Sequence, residues 1–380
     1  IPFGICGILT FSSFGGTDTA KMIYAYVTYT LMMMVYSLIN VPYASLLGVM
    51  SASPQTRTEL SSYRMTFAFG GSILVLALVE PLTDFFSRME MNSGKPSILL
   101  GWQMAACFFA LIAVVMFFLT FSWTKERIRP IVEKKGSLKN DIRDLCTNRP
   151  WWILLGASVM VLVFNSVRDG AAVFFFKYNV SGASDWSFSI FSGTFTLITV
   201  YLVLGQAFNI IGILCVPALT RLLGKKNTFF YAMVGATVLS VLFYFLPEGF
   251  VSGILVMQAL ISFCAGIVSP LMWSMYADIA DYSEWKTGRR ATGLIFSSSS
   301  MSQKLGWTIG GSMSGWLLFY FGFEANAVQT ESSLNGILLM MSLLPACATL
   351  ISVLFISRYP LTEKRMCEIS ADLESKRKED

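Results

Sequence analysis

The sequence predicts an all-α integral membrane protein that crosses the bilayer many times. Hydrophobic residues make up 54% of the 380 residues, charged residues make up 13%, and the mean hydropathy is +0.61. A soluble domain needs a polar surface, and this composition is too apolar to supply one. The apolar residues also fall into stretches of roughly 20, the helix length that spans the hydrocarbon core of a bilayer.

Taken in order along the chain, these stretches predict ten transmembrane helices. They cover residues 1–14, 20–48, 61–80, 98–122, 151–177, 195–220, 227–246, 250–276, 291–321 and 334–357. We divide the chain into a remainder of an N-terminal half (1–122, helices 3–6), a central cytoplasmic loop (123–150), a C-terminal six-helix half (151–358) and a cytoplasmic tail (359–380). Many transporters have two six-helix halves, so we expect two further helices to precede Ile1.

The lysines and arginines predict the orientation of the chain. They are concentrated in 123–150, 221–226, 284–290 and 358–380, which the positive-inside rule assigns to the cytoplasmic side. Both ends of the chain then lie on that side. The charged tail predicts a solvated helix or a disordered end.

Composition also argues against several functional classes. The chain has no histidine, and its seven cysteines show no metal-site or redox spacing. Metal sites, disulfide frameworks and histidine-based catalysis therefore lack sequence support. We see no spacing of nucleophile and base that would indicate an enzyme.

Polar side chains at membrane depth are the first candidate functional residues. Lys304 lies about 20 Å along its predicted helix, where a lysine needs a polar partner or a watery cavity. The alternative is a neutral lysine bonded to carbonyl groups. Tyr36 and Asn40 share one face of a helix, with Ser37 beside Tyr36. This face predicts binding of a polar ligand, or else a hydrogen bond to a neighbouring helix.

Three further charged residues admit two interpretations each. Arg64 lies at the predicted start of the segment 61–80. Its side chain either extends to the membrane interface or recognises a diol or carboxylate. Arg168 and Asp169 lie about 25 Å along their predicted helix, in the outer part of the membrane. They predict an outer gate or cavity lining, or a local ion pair.

A charged stretch, ADIADYSEWKTGRR, follows the eighth predicted helix and is expected to be a loop. It carries Asp278, Asp281 and Arg290, while Arg57 occupies a comparable position in the first half. Acidic and basic groups from two halves can hold a cytoplasmic gate shut. Equally, such residues can be solvated anchors at the ends of helices.

Four sequence stretches carry a resemblance to a known family. They are NVPYASL, QTRTELSSYR, DGAAVFFFKY and ADIADYSEWKTGRRATGLIFS, with Lys304 downstream. In the same order they resemble signatures of the glycoside-pentoside-hexuronide:cation symporters, which include the melibiose carriers. The resemblance covers essentially the whole chain. It implies the major facilitator fold, with ten of an expected twelve transmembrane helices present.

The resemblance also implies roles for individual residues. The implied substrate-binding residues are Tyr36, Asn40, Arg64 and Lys304. The implied cation site consists of Ser37, Asn40 and Lys304. The implied cytoplasmic gate consists of Arg57, Asp278, Asp281 and Arg290. Melibiose carriers have Asp where this chain has Asn40, which leaves Na⁺ and H⁺ coupling and the choice of sugar open.

The function expected from this resemblance is cation-coupled symport of a sugar or glycoside by alternating access. The expected protein is a monomer in the bacterial inner membrane, with no cofactor besides Na⁺ or H⁺ and no nucleic-acid partner. Two alternatives remain. One is a lipid or lysolipid carrier on the same fold, and the other is a membrane sugar sensor that transports nothing.

Overall fold

The computed structural model describes residues 2–12, 17–51, 53–89, 98–124, 143–180, 187–190, 193–247, 249–288 and 292–379. The helices are α1 (Pro2–Thr10), α2 (Asp18–Met50), α3 (Pro54–Met89), α4 (Ile98–Trp123), α5 (Arg149–Phe174), α6 (Leu197–Leu223), α7 (Lys225–Tyr244), α8 (Val251–Thr287), α9 (Thr292–Tyr320), α10 (Glu331–Met341), α11 (Leu343–Ser357) and α12 (Glu363–Glu379). Helix α5 continues into a π-helical turn at Phe175–Asn179.

Seven helical stretches among the described residues are long and apolar enough to cross a bilayer. They are Asp18–Leu47, Leu99–Trp123, Arg149–Asn179, Leu197–Leu223, Lys225–Tyr244, Val251–Thr287 and Glu331–Ser357. Helices α1, α3 and α9 coincide with the other three predicted segments. The predicted total of ten transmembrane helices therefore stays a prediction.

A short β-hairpin departs from the all-helical expectation. Strand β1 (Ser187–Ile190) pairs antiparallel with β2 (Gly193–Thr196), and Ser187 lies opposite Thr196. Strand β1 (SFSI) alternates serine with a large apolar residue, a period-2 pattern typical of strands, whereas β2 (GTFT) has one large apolar residue, Phe195. The pattern is only four residues long, so it is easily taken for a loop.

Two helices extend further than their charged sequences suggested. Helix α3 begins at Pro54, where proline suits the first turn because its missing N–H is not needed there, and the Ser53 hydroxyl accepts from the Thr56 amide at 3.4 Å. Helix α8 runs to Thr287 and ends at Gly288, whose φ of 68° is left-handed. The loop expected around Asp278 and Asp281 is therefore wrong, because both residues lie on α8.

The chain divides into two compact units. The first comprises 1–46 and 70–127. Within it α1 lies against α4, where a Cβ at Gly4 would be 3.1 Å from the Val114 side chain. Hydrogen bonds from Tyr24 to the Leu9 carbonyl (2.7 Å) and from Gln103 to Ser12 (3.0 Å) hold α2 and α4 to the α1 region.

The second unit comprises 47–69 and 128–380 and contains a buried apolar core. Helices α5 and α9 approach closely along glycines of α9. A Cβ at Gly306 would be 2.5 Å from Leu162 Cβ, and one at Gly310 would be 2.5 Å from Ser166 Cβ. Small residues of this kind allow the backbones of membrane helices to pack together.

The last predicted transmembrane segment, 334–357, is interrupted at Ser342, which separates α10 from α11. Proline has no N–H, so Pro345 cannot bond the carbonyl of Met341, four residues earlier. The break leaves that carbonyl in need of another donor.

The tail forms helix α12, so the prediction of a disordered end is wrong for Glu363–Glu379. Met366, Ile369 and Leu373 share one face of α12 and are each 2% exposed. The Trp285 indole donates to Asp372 at 3.2 Å. The tail is therefore packed along one face rather than solvated on all sides.

Candidate functional site

Four buried charges meet in the second unit, and we refer to Arg57, Lys225, Asp278 and Asp281 as the charge cluster. None is more than 4% exposed. Arg57 Nη2 lies 3.2 Å from Asp278 Oδ1, and Arg57 Nη1 also pairs with Asp281. Lys225 Nζ donates to Asp278 Oδ2 at 2.6 Å. Two positive and two negative groups compensate one another, as buried charges require.

Helix geometry brings these four side chains together. Asp278 and Asp281 are three residues apart on α8, so they share one face. Arg57 projects from the first turns of α3, and Lys225 is the first residue of α7, directly after Gly224 with its φ of 76°. Asp278 thus bridges a cation from the first half of the sequence and a cation from the second.

The burial of the cluster decides one of the alternatives open from the sequence. The interpretation of Arg57, Asp278 and Asp281 as solvated anchors is wrong, because all three side chains are buried. Arg290, the fourth predicted gate residue, lies outside the described residues. Lys225 was missed because it falls in a basic stretch that predicts an ordinary cytoplasmic loop.

Neutral hydrogen bonds flank the cluster on α3. Thr58 Oγ1 and Ser274 Oγ lie 2.9 Å apart and are both fully buried. The Ser61 hydroxyl donates to the Pro270 carbonyl at 2.8 Å, and Gln55 donates to the Pro217 carbonyl at 3.2 Å. These contacts bind the first two turns of α3 to α6 and α8.

Arg64 lies two turns beyond Arg57 on the same face of α3. The sequence-based expectation that Arg64 lies at the start of its helix is therefore wrong, because α3 begins at Pro54. Its guanidinium carbon lies 4.1 Å from the centroid of the Trp273 ring, in cation–π geometry, and Trp273 stacks on Phe296 with centroids 6.3 Å apart. An aromatic surface thus orients the guanidinium that is predicted to contact the substrate.

Arg168 is buried and joins three helices of the second unit. It donates to the Met341 carbonyl at 2.6 Å, to the Tyr201 hydroxyl at 3.1 Å and to Gln258 Oε1 at 2.9 Å. The first of these bonds supplies the donor that Pro345 withholds from Met341. Arg168 forms no ion pair with a carboxylate in the described part of the chain.

Asp169, the next residue, is exposed and forms no ion pair within the described part of the chain. The local ion pair weighed from the sequence is therefore not formed, because the two neighbouring side chains have different surroundings. An outer gate or cavity lining stays a prediction for Arg168 and Asp169.

Comparison with known proteins identifies the family. A family model described as MFS/sugar transport protein matches residues 1–363. The isoprimeverose transporter of Lactiplantibacillus pentosus is 31% identical over 379 residues, covering 99% of this chain and 75% of the relative. A glucuronide carrier protein homolog of Escherichia coli K12 is 31% identical over 363 residues, covering 94% and 74%.

The chain belongs to the glycoside-pentoside-hexuronide:cation symporter family. The resemblance inferred from the sequence is confirmed, and the chain is a multi-pass protein of a membrane transporter family. A crystal structure of FucP, a major facilitator superfamily transporter in the outward conformation, aligns with a TM-score of 0.63 at 14% identity. That alignment covers 95% of this chain and 81% of FucP, and it supports the major facilitator fold.

The remaining predicted residues of this family member lie on α2 and α9. In the first unit, α2 is continuous through Pro42, so Tyr36 and Asn40 do lie one turn apart. The Ser37 hydroxyl donates to the Met33 carbonyl at 2.6 Å. The binding roles of these residues stay predictions.

Lys304 is half-buried on α9, in the second unit. It precedes Gly306 by two residues, or about 200° around the helix, so it lies on the side turned away from α5. The contact between α5 and α9 is therefore made by small residues of α9, Gly306 and Gly310, and not by Lys304. The predicted roles of Lys304 in cation and substrate binding remain predictions.

Proposed function

We propose that the protein is a cation-coupled glycoside symporter that works by alternating access. The observation that carries this proposal is the charge cluster, in which Arg57 from the first half of the sequence is buried between two carboxylates of the second. Family membership supports the class of activity, and the isoprimeverose and glucuronide relatives support a glycoside as the substrate. In this proposal the protein is a transporter rather than an enzyme.

The charge cluster would act as the cytoplasmic gate. Removing one partner from a buried ion pair costs about 3–5 kcal/mol, because the other charge stays buried without compensation. Opening must therefore separate Arg57 from Asp278 and Asp281 while hydrating all three. Lys225 belongs to the same half as Asp278 and keeps it paired during that separation.

The substrate would be held by Tyr36, Asn40, Arg64 and Lys304, and the coupling cation, Na⁺ or H⁺, by Ser37, Asn40 and Lys304. A bound cation screens the positive charge of Lys304 and thereby raises the affinity for sugar. By linkage, the sugar raises the affinity for the cation to the same extent. We propose no other cofactor and a monomeric protein of the inner membrane, with its C-terminus in the cytoplasm.

The proposal is tested by uptake of labelled glycosides into proteoliposomes that contain the protein expressed from its complete gene. Three conditions are compared: an inward Na⁺ gradient, an inward H⁺ gradient and no gradient. Accumulation that needs one gradient supports symport and identifies the cation. Sugar binding without accumulation would favour a sensor, and transport of lysolipid without sugar binding would favour a lipid carrier.

A further inference from the structure

Two amide side chains lie near the middle of α6, in otherwise apolar sequence. Gln206 and Asn209 are about 14 and 18 Å along this helix of 27 residues. Their spacing of three places them on adjoining parts of one face. Polar groups at this depth are costly in a bilayer and usually serve a function. Neither residue belongs to the set predicted from the sequence.

The carbonyl oxygens of both amides are buried and accept no hydrogen bond within the described part of the chain. A buried acceptor without a donor costs roughly 1–3 kcal/mol, so native proteins rarely contain one that has no hydrogen-bond partner outside the chain. Here two occur within a single turn. Both oxygens are acceptors, so the missing partner is a hydrogen-bond donor.

The backbone that carries these amides is held firmly. A Cβ at Gly205 would be 2.6 Å from Gln258 Nε2, and Gln258 is fixed in turn by Arg168. One turn further along, the backbone of Asn209 lies directly against Gly266 of α8. Arg168 therefore fixes α6 against α8 on the side before Gln206, and the contact of Asn209 with Gly266 fixes it beyond Gln206.

The charges near the amides indicate which donor would be accepted. Helix α6 has no carboxylate, and the nearby Arg168 is a buried cation bonded to Tyr201 on the same helix. A positive charge in this position disfavours a second cation. Neutral hydroxyl groups suit the pair, because each donates one hydrogen bond without adding charge.

We propose that Gln206 and Asn209 are specificity-determining residues that accept hydrogen bonds from hydroxyl groups of the transported glycoside. This inference rests on the proposed function and adds a contact from α6 to it. Each amide oxygen selects a hydroxyl at one position of the sugar. A sugar that lacks that hydroxyl leaves the oxygen unpaired and is transported less well.

The test uses two substitutions of similar size, Gln206→Met and Asn209→Leu, in the protein expressed from its complete gene. Thr237→Val is the matched control, because Thr237 donates to Thr349 between α7 and α11. The apparent KM for the glycoside, the maximal rate and the cation activation constant are measured in proteoliposomes. The panel includes analogues that each lack one hydroxyl.

We expect each amide variant to raise the KM by about 3- to 10-fold, the value of one hydrogen bond, without changing the cation constant. For one deoxy analogue, wild type and variant should have the same KM, since the partner is missing from both. That equality also shows that the variant is folded. The control should retain the wild-type KM for every sugar.

An unchanged KM for every sugar would overturn the inference, and so would a change in the cation constant alone, which would make the amides cation ligands. An equal loss for all analogues would also overturn it, since that result reports structural damage. In each of these cases wild-type uptake shows that the proposed function stands. Absence of cation-driven uptake by the wild type would instead overturn both.

Discussion

Replacing Arg57 with methionine removes the guanidinium from the charge cluster while keeping much of its volume. Asp278 remains paired with Lys225, but Asp278 and Asp281 both lose their contact with Arg57. At 3.2 Å and an effective dielectric constant of about 20, the Arg57–Asp278 attraction alone is about 5 kcal/mol. Allowing for desolvation, we expect the closed arrangement to lose about 3–5 kcal/mol relative to the open one.

Opening can be measured from the reactivity of a buried cysteine. Ser274 is fully buried beside Thr58, so Ser274→Cys, in a background without other cysteines, reports separation of α3 from α8. The loss of 3–5 kcal/mol predicts that Arg57→Met accelerates alkylation by N-ethylmaleimide about 150- to 4,000-fold.

A control is available two residues away on the same helix. Glu59 pairs with Arg221, but this pair is exposed, so Glu59→Gln should change the alkylation rate by less than about tenfold. If Arg57→Met and Glu59→Gln gave the same rate, the charge cluster would not hold the two helices together. The reasoning from burial would then be refuted.

Three further predictions concern other parts of the molecule. Arg168→Met leaves three hydrogen-bond acceptors without their donor and should lower the free energy of unfolding by about 3 kcal/mol, seen as a lower Tm in detergent; an unchanged Tm would contradict this. Gly310→Ala places a methyl group against Ser166 and should lower the free energy of unfolding by about 1–3 kcal/mol. Gly315 has open space around it, so Gly315→Ala should not lower the Tm measurably. Equal Tm values for the two variants would contradict the packing argument. Lys304→Ala should abolish the stimulation of uptake by cations, and full retention of that stimulation would exclude Lys304 from the coupling site.

Much of the fold could be predicted because membrane helices need long apolar runs, and these are visible in the sequence. The same rule failed at the ends of α3 and α8. Charged residues there suggested loops, yet Asp278 and Asp281 continue the helix because Arg57 and Lys225 compensate their charge. Only the three-dimensional arrangement reveals that compensation.

The site was predictable in its residue types and less so in its contacts. Arg57, Asp278 and Asp281 were singled out, but their burial and the part played by Lys225 depend on contacts between residues far apart in sequence. Pro345 was a readable signal for the break between α10 and α11, since a proline frees the carbonyl four residues earlier. Nothing in the sequence indicated that Arg168 would supply the donor.

The most direct test of the central claim is the steady-state accumulation of a labelled glycoside in proteoliposomes, with and without an ionophore that collapses the cation gradient. We predict accumulation above the external concentration that one gradient, of Na⁺ or of H⁺, drives, and its loss to simple equilibration when the ionophore is added. Accumulation that never exceeds the external concentration under either gradient would contradict cation-coupled symport.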